Sequence, residues 1–119
     1  MATRLVIKIT HAHNDPERAH IGVNVAAAAL ASGLEVDLFL AADGVELALP
    51  NATFALDEAP PVSELLDAVF AGAASITVCT PCATRRGLSE GDFRPGITLA
   101  GSAAFVAKVA QPDTTTLVY

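Results

Sequence analysis

The chain has 119 residues, a formal net charge of −6 at pH 7 and a hydrophobic fraction of 52%. That length predicts one domain, residues 1–119, able to bury a core but with little surplus stability. The acidic balance excludes the basic footprint of a nucleic-acid binder or an anionic-membrane binder.

Arg4 to Thr10 (RLVIKIT) reads as a strand. Leu5, Ile7 and Ile9 share one face, and Val6, Lys8 and Thr10 the other. Neither face is wholly polar, which suits a parallel sheet covered on both sides. Lys8 is expected to bury its stem and send its ammonium to an edge or a carboxylate. Asn14-Asp15-Pro16-Glu17 is a helix start, with Asp15 as N-cap and Pro16 at the first position. With Asn14 as the cap instead, Glu17 takes the capping-box position. The helix runs to about Ser32, and Gly33 supplies its left-handed stop.

Glu35 to Ala42 is the second strand, and Asp43-Gly44 turns the chain. Val45 to Leu49 reads as one helical turn before Pro50, and Thr53 to Leu56 as a short strand in an irregular stretch. Val62, Leu65, Leu66, Val69 and Phe70 have the spacing of an amphipathic helix over Pro61 to Gly72. Ser75 to Cys79 is a branched, apolar strand. Thr80 as N-cap and Pro81 at the first position then open a short helix to about Leu88. Ser89 to Pro95 is a charged loop. Ile97 to Ala100 fits a strand or the approach to a helix over Gly101 to Ala110, and Thr114 to Val118 is a strand. Alternation of this kind implies βαβ units with right-handed crossovers. The expected fold class is α/β: a single three-layer domain, flavodoxin-like, with a mostly parallel central sheet of about five strands and helices on both faces.

The mean hydropathy is +0.47, and much of it comes from 24 alanines. No stretch offers the roughly 20 apolar residues of a membrane span. Met1-Ala2-Thr3-Arg4 leads into a strand rather than the apolar core of a signal peptide. The expected location is cytoplasmic, where two cysteines are redox-active or metal-binding rather than a structural bridge.

Ligands of open α/β sheets gather beyond the carboxyl ends of the strands. Two loaded segments fall there: His11-Ala12-His13 and Cys79-Thr80-Pro81-Cys82. Cys79 ends a strand just before a helix start, where the positive end of the helix favours a thiolate. Arg85 and Arg86, three and four residues beyond Cys82, add positive charge. Against this stands the reading of either cysteine as a small core hydrophobe. The Cys-x-x-Cys spacing suggests a dithiol. It does not open the first helix, as the thioredoxin pattern requires, and the chain has no tryptophan. A zinc site would take Cys79, Cys82 and two of His11, His13 and His20. No second Cys-x-x-Cys supports it, and no metal is assigned. His11 is a candidate polar wall or proton acceptor beside the thiol; otherwise it and His13 are exposed loop residues. His20 is expected at the surface or an interface. No dinucleotide, Walker or nucleophile-elbow pattern is present, so no cofactor is assigned.

Taken together, these segments resemble the DsrE/DsrF-like family of small sulfur-relay proteins, which includes the TusD-type subunits. The likeness is carried by Asp15-Pro16-Glu17-Arg18-Ala19, the Ala-rich helix closing at Ser32-Gly33-Leu34-Glu35-Val36, and Leu38-Phe39-Leu40 running on to Asp43-Gly44-Val45. Its sharpest part is Cys79 followed by Arg85-Arg86-Gly87-Leu88. Gly96-Ile97-Thr98-Leu99-Ala100-Gly101 and Thr115 to Tyr119 complete it. The resemblance implies a persulfide-carrying cysteine at Cys79, sulfur donor and acceptor proteins as partners, and assembly into a homotrimer or homohexamer. Cys82 is additional to the family's single-cysteine pattern, and Ala107-Lys108 replaces a glutamate often found in the last helix.

The resulting expectation is a sulfur carrier or sulfurtransferase-like protein with Cys79 as nucleophile, Cys82 as auxiliary thiol, and Arg85, Arg86 and His11 in support. Arg86 is expected to face the site and Arg85 to face away. The alternatives are a thiol–disulfide redox protein using both cysteines, and a non-catalytic oligomeric binding module.

Overall fold

The structure is a computed structural model, and it describes residues 2–119. Five strands form one sheet: β1 (Arg4–Ile9), β2 (Glu35–Leu40), β3 (Ser75–Cys79), β4 (Ile97–Ala100) and β5 (Thr114–Val118). Their order is β4-β3-β2-β1-β5, and every pairing is parallel. Four helices connect them: α1 (Pro16–Ala31), α2 (Val62–Ala71), α3 (Thr80–Arg85) and α4 (Ser102–Val109). Two 3-10 segments, Ala42–Ala48 and Glu90–Asp92, complete the elements.

The side chains of adjacent strands in register share a face, so Ile7, Ile9, Val36, Leu38, Leu40, Ile76 and Val78 line one side of the sheet. All are buried, and they form one cluster with Val23 of α1 and Leu66 and Val69 of α2. The opposite side carries Lys8, Asp37 and Phe39 and is covered by α4. Phe105 of α4 stacks at a tilt on Phe39, with ring centroids 5.2 Å apart. Asp37, buried, accepts from Arg4 at 2.8 Å and from Lys108 at 3.1 Å. Lys8 is expected to reach an edge or a carboxylate; instead its ammonium sits 4.9 Å from the centroid of the Phe105 ring. The ring face supplies the negative potential that a carboxylate would have given.

The sequence-level boundaries hold with four differences. Asp15 is the N-cap of α1, accepting from the Arg18 N–H, and Gly33 (φ 83°) ends that helix. The Leu34 and Gly33 N–H groups close back on the Ala29 and Leu30 carbonyls, a Schellman stop. β2 ends at Leu40, and the residues expected to turn after it form the 3-10 segment. Thr53 to Leu56 is not a strand. Its carbonyls are engaged by other elements: His13 Nε2 bonds Thr53 O, and the Val62 N–H donates to Phe54 O. α3 opens one residue early, with Cys79 as N-cap and Thr80 and Pro81 at its first two positions, and it closes at Arg85 rather than Leu88. Finally, His20 is buried, not superficial; its Nε2 lies 2.9 Å from the Pro60 carbonyl, which satisfies the ring in the packed interior.

Among the described residues no helix is long and apolar enough to cross a membrane.

Candidate functional site

Cys79 is the last residue of β3 and the N-cap of α3; Cys82 lies one turn further on. Both thiols are free and buried, at 7% and 9% exposure. Their Sγ atoms are 2.7 Å apart and share a hydrogen bond. The strand fixes the Cys79 backbone in register with Ala100 of β4. The short helix fixes Cys82 above it. Gly87 (φ 68°) stops that helix: its N–H and that of Leu88 return to the Thr84 and Ala83 carbonyls. Arg85-Arg86-Gly87-Leu88 is therefore first of all a helix terminator, which holds Arg86 at the C-cap.

From that position Arg86 reaches in two directions. Its Nη1 donates to the Cys82 carbonyl at 3.0 Å, and its Nη2 bonds Asp43 Oδ1. Asp43 belongs to the 3-10 segment that follows β2. Ala42, the first residue of that segment, has φ 51°, a left-handed conformation that costs an L-residue about 1–2 kcal/mol. Its N–H acts to make the Cys82 thiol more acidic. Gly44 is buried against β1, and a Cβ there would collide with the Ile9 carbonyl oxygen. The close approach of this segment to the sheet thus needs glycine and puts Ala42 and Asp43 at the thiols.

The two thiols differ in acidity. Burial pushes Cys79 up, and its hydrogen bond to Cys82 adds to the rise, against a smaller opposing effect of the Cys82 N–H and Arg85. Burial also acts to raise Cys82. It is outweighed by the hydrogen bond from Cys79, the Ala42 N–H, and the charges of Arg85 and Arg86, so this thiol lies below its usual value. With both thiols protonated either sulfur can donate. When the first proton leaves, Cys79 keeps its hydrogen and donates to the Cys82 thiolate.

Arg85 is exposed and acts on both sulfurs through its charge alone, whereas Arg86 is held against the site. His11 is not brought to the thiols. It follows β1, two strands from β3, and its Nδ1 bonds Thr10 Oγ1 at 3.0 Å. His13 is further along the same loop, edge-on to Phe54 and 3.6 Å from Glu46. Among the described residues no three His, Cys, Asp or Glu side chains gather as a metal site. A groove of about 540 Å³ lies alongside, lined by His13, Glu46, Asn51, Leu88 and Asp92 among others, and neither cysteine lines it. Sequence reasoning passes over Asp43 and Ala42, reading Asp43-Gly44 only as a turn. The available signal was position, since the turn follows β2, the neighbour of β3, at the same sheet end.

A model of the DsrE/DsrF-like family matches residues 3–116. The chain belongs to this family. It is 37% identical to the uncharacterized protein MK0008 of Methanopyrus kandleri over 109 residues, 92% of this chain and 88% of that one. It is 34% identical to the uncharacterized protein MJ0989 of Methanocaldococcus jannaschii over 110 residues, 92% and 95% of the two chains. The fold matches the crystal structure of ychN from E. coli with a TM-score of 0.79, at 20% identity and full coverage of both chains. It matches MTH1491 of Methanobacterium thermoautotrophicum, a protein of unknown function, with a TM-score of 0.75 at 12% identity and 98% coverage of each. As a DsrE/DsrF-like protein the chain stands in a family generally related to sulfur relay, with a five-stranded parallel α/β domain as its frame.

Proposed function

We propose that this DsrE/DsrF-like protein is a sulfur carrier of the sulfurtransferase type, which accepts persulfide sulfur at the Cys79–Cys82 pair and passes it on. The observation that carries the reading is the contact of two free thiols at the carboxyl end of β3, one of them, Cys82, made acidic by its hydrogen bond with Cys79 and then by Ala42, Arg85 and Arg86. A thiolate is the form that attacks sulfur. It would take the outer sulfur of a donor persulfide, releasing the donor thiol, and later yield that sulfur to an acceptor. Sequence analysis assigns the acceptor role to Cys79; the acidity order in the folded chain favours Cys82 for the first attack. Donor and acceptor proteins are the expected partners, in a reducing compartment such as the cytoplasm, where both cysteines stay free.

A homotrimer or homohexamer belongs to the same proposal. It is supported by α4, which has no buried residue, and by Val106 and Val118, which are 58% and 62% exposed on α4 and β5. Ala-rich and apolar surfaces of this kind suit permanent interfaces.

The deciding experiment is intact mass after exposure of the reduced chain to a persulfide donor, with alkylation to trap products. Uptake of one sulfur atom, about 32 daltons, that is lost when both cysteines are replaced supports the reading. Neither added sulfur nor released sulfide with any of several donors refutes it and leaves the non-catalytic binding module.

A further inference from the structure

We propose that Cys82 takes up the sulfur and Cys79 expels it, so that the pair converts a persulfide into hydrogen sulfide and leaves an intramolecular disulfide. This rests on the sulfur-accepting reading above and names its product. Four observations carry it. The two Sγ atoms are in contact at 2.7 Å, and each is the other's side-chain hydrogen-bond partner. Among the described residues no imidazole, carboxylate or hydroxyl bonds either sulfur, so nothing holds a bound sulfur away from the neighbouring thiol. Both cysteines are more than nine-tenths buried, so once a sulfur is loaded the neighbouring thiol is already in place while an external acceptor must still gain access. The groups that favour a thiolate converge on Cys82: Arg86 is anchored on its carbonyl at 3.0 Å, and the Ala42 N–H and the charges of Arg85 and Arg86 act to make its thiol more acidic.

The chemistry closes in two steps. The Cys82 thiolate attacks the outer sulfur of R–S–SH; a Cys82 Sγ–S bond forms, the R–S bond to that sulfur breaks, and RS⁻ leaves and takes a proton from water. Cys82 Sγ is now bonded to the outer sulfur and carries no charge of its own, so the contact that kept the proton on Cys79 is weakened. Cys79 gives up its proton and attacks Cys82 Sγ. The Cys79–Cys82 disulfide forms, the bond to the outer sulfur breaks, and HS⁻ leaves with the Cys79 proton as H₂S. The sulfane sulfur gains two electrons, and the two protein thiols lose them. A dithiol reductant restores the pair for a second cycle. Groups held in attack geometry react as though at effective concentrations of about 10⁵ M or more. An acceptor protein at micromolar concentration therefore loses to Cys79 unless it displaces that thiol.

The test uses the reduced full chain with glutathione persulfide and no other reductant, against the double Cys→Ser variant as background. The expected result is about one sulfide per chain above background and a product about two daltons lighter than the reduced protein, as a disulfide requires. Cys79→Ser should hold a stable added sulfur of about 32 daltons on Cys82 and release no sulfide. Cys82→Ser should do neither. A parent chain that keeps its added sulfur, hands it to an acceptor thiol and releases no sulfide would overturn this inference and leave the carrier reading intact. Absence of sulfur uptake by the parent and both variants overturns both. Loading that persists in Cys82→Ser and disappears in Cys79→Ser overturns the assignment of roles. The parent measurement decides on its own if a variant fails to fold.

Discussion

Arg86 Nη2 lies 2.5 Å from Asp43 Oδ1, so the end of α3 is tied to the segment that delivers the Ala42 N–H to the thiols. The two side chains act on Cys82 with opposite sign. Arg86 stabilises the thiolate, and Asp43 neutralises part of that charge while holding it in place. Both are partly exposed, at 28% and 37%, so solvent screens the effect to well under that of a buried pair. Arg86→Gln should slow iodoacetamide alkylation of Cys82 at pH 7 by about two- to fivefold, and Asp43→Asn should speed it by a similar factor, the range of a partly exposed ion pair. The Arg85 charge also favours the Cys82 thiolate, but Arg85 is exposed, so Arg85→Gln should slow alkylation only at low ionic strength, its effect disappearing in molar salt, where charges are screened beyond about 3 Å. Equal rates in all four proteins would show that the arginines only terminate the helix.

Alkylation should rise with pH in two separated steps. Cys82 is displaced below the usual thiol value of 9.0 and Cys79 above it, and the reactive form of each is the thiolate. Below the first step neither reacts; between the steps the label goes to Cys82; above the second both are modified. Peptide mass mapping after brief labelling across a pH series reads this directly. A first label on Cys79 would reverse the acidity order.

Gly44→Ala should destabilise the fold by about 1–3 kcal/mol or more, the usual cost of forcing extra atoms into a packed site. The new methyl has the Ile9 backbone against it and no flexible side chain to displace. Moving the segment also withdraws Ala42, so Cys82 alkylation should slow in the same variant. Gly91→Ala is the control, because nothing lies within 4 Å of a Cβ there; its effect should stay within about 0.5 kcal/mol in urea unfolding, as for ordinary surface changes.

Asp37 is the anchor of the α4 side of the sheet. Asp37→Asn removes the charge that meets Arg4 and Lys108, and should cost about 1–3 kcal/mol, the range for hydrogen bonds to charged groups. The larger figure for breaking a buried pair does not apply, since Arg4 and Lys108 side chains are 29% and 42% exposed and can turn to water. Lys108→Met should cost no more than about 1 kcal/mol. No measurable loss in either variant would show that α4 is held by Phe105 alone.

Periodicity and punctuation made most of the frame legible. Branched residues at alternating positions mark β1, β2 and β3, and Asp15-Pro16 and Gly33 bracket α1, because these are local rules with local causes. The Thr53–Leu56 reading failed for a non-local reason: its carbonyls go to His13 and to the start of α2, and no pattern within the segment records that. The Cys79–Cys82 spacing announced a thiol pair, but the acidity order depends on Ala42 and on which arginine the helix stop turns inward. Both come from chain folded back across two neighbouring strands. His11 was legible as a loop histidine after a strand, and its separation from the thiols depends on β2 lying between β1 and β3.

The strand order has a consequence for how the chain reaches this state. From β1 the sheet grows stepwise through β2, β3 and β4, and only β5 returns to the other side of β1. Until it does, β1 presents a bare hydrogen-bonding edge, including the Lys8 carbonyl and Thr10 N–H that Tyr119 later occupies. An unpaired, apolar edge of this kind is a template for other chains. A nascent polypeptide still threaded through a ribosome beyond β4 thus carries β1 with one edge unprotected, and losing the last few residues of β5 should drive the product into inclusion bodies before it alters the thiols at all.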